Sequence, residues 1–447
     1  MPEVTLAQIL QAREERVRLQ QELLTTYGCP VISFTMNIAG PIKTTPVIER
    51  AFAAGLEALD AHLPQQQIRF YNSEISVTGC QAMYAVDLDA LALKKICACI
   101  EDAMPLGRLF DMDVLDLTGA KLERAAVNGK SRDCIVCGAP GRACAARRVH
   151  TVPQLQAATY TIIREYFAAA DSTRFADLAV QSLIDEVMTT PKPGLVDRRN
   201  TGSHKDMDVT TFLASANALK PYFETCVKIG QETMHLPSED TFPLLRQAGL
   251  SAENAMLQAT GGVNTHKGAI YTMGILCGAL GRLWTPEQPI PKLETLLAEC
   301  AQIVQPHAEA DFAAIDKTAA TAGQKLYLEL GLTGIRGEVA AGLPSVANIG
   351  LPAYHKALQD GLSRNDAGAV KLLHLIEQVT DTNLYHRGGA EGASYAADAA
   401  RALLDADTYP TPKQIENLDD AFIAGNLSPG GCADLLAVVY FFDALHG

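Results

Sequence analysis

The spacing of hydrophobic and polar positions changes near residue 170. Before that point, short runs rich in β-branched residues alternate with stretches of helical period. The short runs predict strands, and they lie at 30–40, 74–88 and 109–117. The helical stretches are the opening segment, 46–62 and 89–104. This mixture predicts an α+β or α/β domain with a mixed sheet over residues 1–170.

After residue 170 the strand pattern nearly disappears. Alanine- and leucine-rich segments of helical period, such as VTTFLASANALKPYF and GCADLLAVVYFFDAL, alternate with loops that hold Gly, Pro, Asn and Asp. The pattern predicts an all-α domain over residues 171–447, joined to the first domain near 168–174. A length of 447 residues also favours two domains, because a single hydrophobic core rarely grows so large.

The composition and charge narrow the class of protein. Hydrophobic residues make up 48% of the chain and charged residues 20%, as in an ordinary globular protein. No apolar run is long enough to span a bilayer, and the charged opening segment lacks the features of a secretory signal. The eleven cysteines are therefore expected to be reduced thiols in a cytoplasmic protein. A net charge of −14 argues against nucleic-acid binding, although a basic cluster over 121–148 could bind a small anion.

Two aspartates in the segment GRLFDMDV are candidate metal ligands. If this segment is a strand, its period of two places Asp111 and Asp113 on one face and the apolar residues on the other. Two carboxylates on one face can hold Mg²⁺, and paired Mg²⁺ ions suit phosphoryl or nucleotidyl transfer. The alternative is a strand end with two solvated aspartates, and the spacing alone leaves both interpretations open.

A cysteine-rich basic segment follows this strand. Three thiols and an imidazole form a possible zinc set, namely Cys134, Cys137, Cys144 and His150. Their separations do not match a familiar zinc ribbon, so we favour a basic loop that contacts phosphates, with zinc as the alternative. The candidate phosphate-binding residues of this domain are Asn37, Lys43, Arg108, Arg132, Arg147 and Arg148. Asn37 and Lys43 flank a Gly-Pro turn that directly follows an apolar strand, where backbone N–H groups could bind phosphate.

Because of these motifs, the segment from about residue 5 to residue 165 resembles the apo-citrate lyase phosphoribosyl-dephospho-CoA transferase family. The matching pieces occur in the expected order, and they are AREER, SFTMNIAGPIK, VTGC, GRLFDMDV and RDCIVCG…CAARRVH. The resemblance implies transfer of a phosphoribosyl-dephospho-CoA unit to a serine of an apo acyl carrier subunit, with release of pyrophosphate. It also implies that Asp111 and Asp113 bind the metal. One departure is the segment Asp102-Ala-Met-Pro-Leu-Gly, where the family tends to have a histidine before Leu-Gly-Arg.

Four polar blocks interrupt the helices of the second domain. Each alone is typical of a loop and a helix cap, as for Asp208 before VTTFL, but four together indicate a phosphate-rich ligand with a metal. The first two blocks contain Lys192, His204, Asp206, Asp208, Asn264, His266 and Lys267. The last two contain Asp381, Asn383, His386, Arg387, Gly388, Gly389, Ser428, Gly430 and Gly431.

From about Phe175 onwards, these blocks resemble in order the triphosphoribosyl-dephospho-CoA synthase family, through GSHKDMD, NTHKG, DTNLYHRGG and NLSPGGCADLLA. The resemblance implies an attack by the 2′-hydroxyl of 3′-dephospho-CoA on the ribose anomeric carbon of ATP, with adenine leaving. Such chemistry needs basic residues for the triphosphate, carboxylates for Mg²⁺, a base or oxocarbenium stabiliser, and a general acid. The candidates for binding the triphosphate are Lys192, Lys267 and Arg387, and the candidate Mg²⁺ ligands are Asp206, Asp208 and Asp381. Glu338 is the candidate base or oxocarbenium stabiliser. The candidate general acid is His204, His266 or His386.

The two resemblances together imply a bifunctional enzyme that makes and attaches the citrate lyase prosthetic group. Its implied partners are ATP, 3′-dephospho-CoA and the apo acyl carrier (gamma) subunit of citrate lyase. The equivalent enzyme pair for malonate decarboxylase is an alternative, and a nucleotide-binding assembly factor without turnover is another. Absence of ATP consumption would favour the assembly factor. The altered segment before Leu106 also leaves open that one half is inactive.

Overall fold

The structure is a computed structural model that describes residues 3–129, 131–315, 322–406 and 409–446. The chain forms two compact units, Met1–Ala169 with Thr285–Glu287, and Ala170–Trp284 with Gln288–Gly447. The elements of the first unit are α1 (Leu6–Tyr27), β1 (Val31–Met36), α2 (Pro46–His62), β2 (Ile68–Ser76), β3 (Gly79–Val86), α3 (Ala90–Ala103), β4 (Phe110–Leu115) and α4 (Gly141–Arg147). The boundary between the units falls inside the next helix, α5 (Val152–Met188).

The four strands form one sheet in the order β2-β3-β1-β4. Every strand pair is antiparallel, so the prediction of a mixed sheet is wrong, although an α+β unit is what the structure contains. The predicted strand over 74–88 is in fact a hairpin, because a turn at Val77 and Thr78 separates β2 from β3. The sequence did not reveal most of β2 because its side chains are largely exposed and show no apolar face.

The two faces of the sheet are covered differently. On one face, the Phe34 ring of β1 stacks on Phe52 of α2 at 4.9 Å and meets Phe110 of β4 edge-on at 5.2 Å. On the other face, Leu23 of α1 packs with Val31 and its neighbours on β3. The sheet is therefore a layer between α1 and the other helices of its unit, and β4 contributes residues to both faces.

The described residues of the second unit form helices joined by loops, and none of them forms a strand. Its helices are α6 (Val209–Ala218), α7 (Lys220–Thr233), α8 (Phe242–Ala259), α9 (Lys267–Leu283), α10 (Leu293–Ala313), α11 (Ala322–Leu330), α12 (Gly334–Ala340), α13 (Leu351–Gln359), α14 (Arg364–Gln378), α15 (Thr382–Leu404), α16 (Pro412–Ala424) and α17 (Gly430–His446). The apolar helices α9 and α17 form its centre, with nearly every side chain from Ala269 to Leu280 buried. None of the described helices is both long and apolar enough to cross a membrane.

Glycines let two central helices approach closely. A Cβ at Gly230 of α7 would lie 2.1 Å from the Gly278 carbonyl oxygen of α9. A Cβ at Gly281 would lie 2.0 Å from the Val227 carbonyl oxygen. Since real Cβ atoms do not come so near, any larger residue at these positions would force α7 and α9 apart.

Lys371 of α14 is fully buried, and its amino group has no hydrogen-bond acceptor among the described residues. Its Nζ lies 3.6 Å from the ring centre of Tyr440 and 4.1 Å from that of Tyr354, and no acceptor is found for it among the described residues. Each aromatic ring stabilises a desolvated ammonium by about 2 kcal/mol or more. Burial outweighs them, and it lowers the pKa of Lys371 well below the ordinary value.

We expect the Lys371→Met variant to be more stable than the unchanged protein at pH 7, by about 1–3 kcal/mol. Below its ordinary pKa the lysine is protonated in the unfolded chain, whereas the buried lysine of the folded chain is neutral, so folding releases a proton. The free-energy cost of this release falls as the pH rises, and the unchanged protein therefore becomes more stable relative to the variant. The advantage of the variant should thus shrink by up to about 1.4 kcal/mol per pH unit between pH 8 and pH 10. Denaturant unfolding across this range measures it, with Lys356→Met, at an exposed lysine, as the control. A constant advantage would contradict a neutral Lys371.

Candidate functional site

The carboxylates Asp111 and Asp113 lie on the face of β4 that the strand period predicts. Asp111 is opposite Thr35 and Asp113 opposite Ser33 on β1, while Phe110, Met112 and Val114 are buried on the other face. Lys121 Nζ lies 2.6 Å from Asp113 Oδ2. Burial and the neighbouring Asp111 charge raise the pKa of Asp113, although Lys121 opposes the shift. The two carboxylates therefore repel each other in a partly desolvated place, where a cation would be stabilised.

Arginines of α1 complete the surroundings of this pair. The charges of Asp111 and Asp113 both act on Arg16, whose pKa is nevertheless lowered by burial and by Arg13. Arg16 Nε also donates to Gln81 Oε1 at 3.3 Å. Lys43 is near Arg13 as well, and burial with Arg13 lowers its pKa, while its Nζ donates to the Ile38 carbonyl at 2.5 Å. The sequence signal for Arg13 and Arg16 was their helical i, i+3 spacing in AREER, which places both on one side of α1.

A buried glutamate anchors the basic segment that follows β4. Glu101 is 4% exposed, and its Oε1 accepts the Met112 N–H of β4 at 2.9 Å. The same carboxylate pairs with Arg124 and, at 2.5 Å, with Arg132, which also donates to the Phe110 carbonyl. Arg132 is thus bound by Glu101 and the Phe110 carbonyl, so it has a structural role besides the predicted contact with phosphate.

A cavity of about 1210 Å³ in the first unit gathers several of the predicted basic residues. Arg108 lines it, and burial together with the charge of Arg132 lowers the pKa of Arg108. Neither Asp111 nor Asp113 lines this cavity in the part of the chain that the structure describes, and the same holds for Lys43 and Arg147. The predicted site residues that do line it are Asn37, Arg108, Arg132, Arg148, Cys134, Cys144 and His150.

A cavity of about 740 Å³ in the second unit brings the polar blocks together. The starts of three helices, α9, α15 and α17, line it, and helix starts carry partial positive charge. The predicted site residues that line it are Lys192, His204, Asn264, His266, Lys267, Glu338, Asp381, Asn383, Arg387, Ser428, Gly430 and Gly431. Two carboxylates that the sequence analysis did not select, Glu186 and Asp434, also line it.

Asp381 joins two of these helix starts. Its Oδ1 accepts the N–H groups of Asn383 and Leu384 at 2.7 and 3.2 Å, at the beginning of α15. Its Oδ2 accepts the Cys432 N–H of α17 at 2.8 Å. Both oxygens of this buried carboxylate are therefore used by the backbone. These hydrogen bonds give Asp381 a structural role, because they fix α15 against α17.

Two buried aspartates shape the loop that carries Lys192 and His204. Asp197 accepts the Lys192 N–H at 2.9 Å, and Asp419 accepts the Gly194 N–H at 2.9 Å and an Arg199 N–H at 2.5 Å. The Lys192 side chain is 1% exposed and pairs with Glu186 of α5. Burial raises the pKa of Glu186, which the ammonium of Lys192 opposes.

An imidazole, a guanidinium and a hydroxyl meet at one wall of the cavity. His204 Nε2 lies 3.0 Å from Ser428 Oγ, and Arg387 lies 3.3 Å from His204 Nδ1. Arg387 also donates to the Ser203 carbonyl at 3.0 Å, which holds it beside the loop. Burial, and after it the charge of Arg387, lowers the pKa of His204. His204 is consequently neutral near pH 7 and suited to hydrogen bonding rather than to proton donation.

His266 presents an unsatisfied nitrogen in the cavity wall. Thr265 Oγ1 donates to Ser215 Oγ at 2.7 Å, and Ser215 Oγ lies 2.7 Å from His266 Nδ1. His266 Nε2 is a buried atom for which the described residues supply no hydrogen-bond partner. Burial lowers the pKa of His266 to about 3, with a smaller contribution from Lys192. His266 is therefore neutral near pH 7, and when Ser215 donates to Nδ1 the imidazole proton lies on Nε2.

The carboxylates of the cavity show the opposite shift. Burial raises the pKa of Glu338, although its Oε1 accepts the Ser345 N–H at 2.7 Å. Burial and the charges of Glu186 and Asp381 raise the pKa of Asp434 well above its ordinary value. Asp434 belongs to α17, and its side chain lies against the start of α9, where a Cβ on Gly268 would be 1.9 Å from its Oδ2. Groups with such shifts are suited to general base catalysis or to binding a cation.

Five predicted residues are not found among the described residues that line this cavity. Asp208 caps α6 through the Thr211 N–H at 2.9 Å, and its hydrogen bonds lower its pKa to about 2. Asp206 and His386 are exposed. Gly388 packs against Leu427, and Gly389 has φ +64, where α15 is kinked. The structure therefore does not bring the predicted metal pair Asp206 and Asp208 to the wall of this cavity, whereas it places Glu186 and Asp434 there.

Comparisons with known proteins divide the chain as the two units do. Residues 172–447 match the family model of ATP:dephospho-CoA triphosphoribosyl transferase, and residues 4–166 match that of apo-citrate lyase phosphoribosyl-dephospho-CoA transferase. The chain is 34% identical to protein CitXG of Haemophilus influenzae, and the match covers 99% of this chain and 97% of that protein. It is 30% identical to protein CitXG of Leuconostoc mesenteroides, and this match covers 98% of that protein. A 2-(5''-triphosphoribosyl)-3'-dephosphocoenzyme-A synthase of Pectobacterium atrosepticum is 39% identical over 64% of this chain and 93% of its own length.

Proposed function

The chain belongs to the family of fused proteins in which an apo-citrate lyase phosphoribosyl-dephospho-CoA transferase precedes an ATP:dephospho-CoA triphosphoribosyl transferase, and from this we infer that it makes and attaches the citrate lyase prosthetic group. Residues 171–447 carry the synthase, which converts ATP and 3′-dephospho-CoA into 2′-(5″-triphosphoribosyl)-3′-dephospho-CoA and adenine. Residues 1–170 carry the transferase, which moves the phosphoribosyl-dephospho-CoA unit to a serine of the apo acyl carrier (gamma) subunit and releases pyrophosphate.

The observation that carries the synthase assignment is the cavity at the three helix starts. Its basic side chains Lys192, Lys267 and Arg387 can contact a triphosphate, although Lys267 is also paired with Glu253 at 2.9 Å. At about 740 Å³ the cavity has the size of a small-molecule site. Polyphosphate at a helix start is a general mode of binding, because backbone N–H groups and the helix dipole favour negative charge there.

In the proposed synthase reaction, the 2′-oxygen of 3′-dephospho-CoA forms a bond with the anomeric carbon of the ATP ribose. The bond from that carbon to adenine breaks, and the triphosphate remains on the ribose. Glu338 takes the hydroxyl proton, since its raised pKa makes it a better base than an ordinary glutamate. His266, in the tautomer with the proton on Nε2, donates a hydrogen bond to a nitrogen of the departing adenine and so stabilises the charge that develops on it. The adenine takes up one proton from water as it leaves, and Glu338 returns the hydroxyl proton to the solvent.

The acidic residues of this cavity fit a divalent cation. Glu186 and Asp434 bring hard oxygen donors into a buried place, and the charge of Glu186 raises the pKa of Asp434. A triphosphate alone would be repelled by these carboxylates, so we propose that they bind it together with Mg²⁺. When bound, Mg²⁺ neutralises phosphate charge and fixes the triphosphate in one orientation. The role of Glu186 and Asp434 is then to hold ATP, while the ammonium of Lys192 opposes the rise in the pKa of Glu186 that burial causes.

In the proposed transferase reaction, the carrier serine oxygen bonds to the phosphorus nearest the ribose, and the bond from that phosphorus to pyrophosphate breaks. Asp111 and Asp113 present adjacent oxygens that fit Mg²⁺, because their mutual repulsion would be relieved by a cation. Arg16 and Lys121 lie beside them and can neutralise the leaving pyrophosphate. This geometry supports in-line nucleotidyl transfer.

Mass spectrometry tests both halves in one incubation of the purified chain with ATP, Mg²⁺, 3′-dephospho-CoA and an apo acyl carrier subunit. We expect free adenine, a triphosphoribosylated dephospho-CoA, and then a carrier whose mass increases by one phosphoribosyl-dephospho-CoA unit. Intact ATP, or ADP in place of adenine, would contradict the synthase and support an assembly factor without turnover. Carriers from citrate lyase and malonate decarboxylase, offered separately, distinguish the two acceptors, and we expect modification of the citrate lyase carrier.

A further inference from the structure

Four side chains of the basic segment in the first unit converge on one point. The thiols of Cys134, Cys137 and Cys144 and the imidazole of His150 each offer a donor atom, and all four atoms lie within 4.8 Å of one another. Cys137 Sγ lies 3.5 Å from Cys144 Sγ and 3.2 Å from His150 Nε2. A tetrahedral ion with Zn–S of about 2.3 Å and Zn–N of about 2.0 Å spaces its ligands roughly 3.5–3.8 Å apart. The observed separations are therefore near those of a complete ligand set.

The backbone around the first two thiols is shaped to turn them inward. The Val136 N–H donates to Cys134 Sγ at 3.5 Å, and the Cys134 N–H donates to the Ala139 carbonyl at 2.6 Å. Gly138, directly after Cys137, has φ +71, which a residue with a side chain rarely adopts. The loop thus closes a Cys-x-x-Cys turn, while Cys144 of α4 and His150, three residues beyond the end of α4, supply the other two donors.

We propose that Cys134, Cys137, Cys144 and His150 form a structural zinc site. All four positions are filled by protein ligands, as in sites where zinc holds the fold rather than reacting. The bound segment carries Arg132 and Arg148, which line the basic cavity of this unit. Zinc would hold this wall of the cavity in place, in a region with little regular secondary structure. The spacing that argued against zinc in the sequence arises because α4 intervenes between the turn and His150.

The test is the metal content of the full chain, purified with zinc present and dialysed against a weak chelator. Elemental analysis should find about one zinc per chain in the unchanged protein and less than about one fifth of that in the Cys137→Ser/Cys144→Ser variant. The matched control is Cys99→Ser, an exposed cysteine of α3 outside the cluster, which should keep its zinc.

A second measurement on the unchanged protein guards against misfolding of the double variant. After zinc is exchanged for cobalt(II), the visible spectrum should show intense bands of a tetrahedral ion and a thiolate charge-transfer band. A colourless cobalt form, a metal-free chain, or equal zinc in the double variant would overturn the proposal. A Cys137–Cys144 disulfide in the peptide mass map would also overturn it. Neither readout depends on transferase activity, so failure here leaves the proposed function untouched.

Discussion

The variant Asp434→Asn is expected to release adenine from ATP at least about 100-fold more slowly than the unchanged protein. Asp434 lies in the cavity wall beside Gly268, and Glu186 and Asp381 raise its pKa. The amide has nearly the same size, and its oxygen can still accept the Ala269 N–H that the carboxylate accepts. What the variant loses is the charge that would hold a cation on the triphosphate, so the fold should persist while the synthase fails.

The matched control is Asp206→Asn, which makes the same chemical change at an exposed position that is absent from the described cavity wall. We expect its adenine release to stay within about twofold of the unchanged protein, as is usual for surface substitutions. Adenine is measured by chromatography, and thermal unfolding verifies that both variants are folded. The reverse result, with Asp206→Asn inactive and Asp434→Asn active, would place the metal near the helix cap at Asp208 instead. Transfer of a ready-made prosthetic group should be unchanged in both variants.

Local patterns predicted the elements of the first unit well where one face is buried. The helix over 46–62 has the bounds that its apolar period predicts, and Asp89 caps the next helix. The period of two in β4 correctly separated Asp111 and Asp113 from the apolar face. Strand β2 was largely missed because an exposed edge strand needs no apolar face. The antiparallel pairing was also missed, because the pairing of strands depends on contacts between distant segments.

The same limit explains why some residues predicted for the second site do not line the cavity. Asp208 and Asp381 both precede a helix, and both are N-caps, yet one is exposed and the other is buried between two helix starts. The sequence gives no difference between them, because tertiary packing decides which cap faces the cavity. The sequence holds a signal for Asp434, which is a carboxylate within an otherwise apolar helical stretch, a position that costs free energy unless the charge is paired or binds a ligand. Glu186 carries no such signal, because the polar residues Gln181 and Asp185 precede it in the same helix.

Burial also changed the chemical roles that residue types alone indicate. A histidine is the usual choice for a proton donor near pH 7, but burial lowers the pKa of both His204 and His266. The same burial raises the pKa of Glu338 and Asp434. These shifts support the proposal that carboxyl groups of this cavity transfer the proton and that the imidazoles form hydrogen bonds. No sequence pattern contains this information, since the sign of the shift depends on desolvation in the folded state.

Replacing both Asp111 and Asp113 by Asn is expected to lower carrier modification by at least about 1000-fold while adenine release continues. Burial and mutual repulsion show that the native carboxylates lie close together in a partly desolvated place. The amides remove both negative charges, so phosphate would meet Arg16 and Lys121 without the metal that orients the reacting phosphorus. The triphosphoribosylated intermediate should then accumulate, because the second unit is unchanged.

The control for this double variant is Asp116→Asn, an aspartate just beyond the same strand. Its Oδ1 accepts the N–H groups of Thr118 and Ala120, and an asparagine oxygen can accept both, so local structure should be kept. Intact-mass measurement of the carrier and chromatography of adenine, taken from the same reaction, separate the two halves. If modification persists in the double variant, the basic cavity lined by Arg108 and Arg148 becomes the candidate transfer site. If both activities vanish together, the two reactions share residues of the first unit, and the assignment of one reaction to each unit fails.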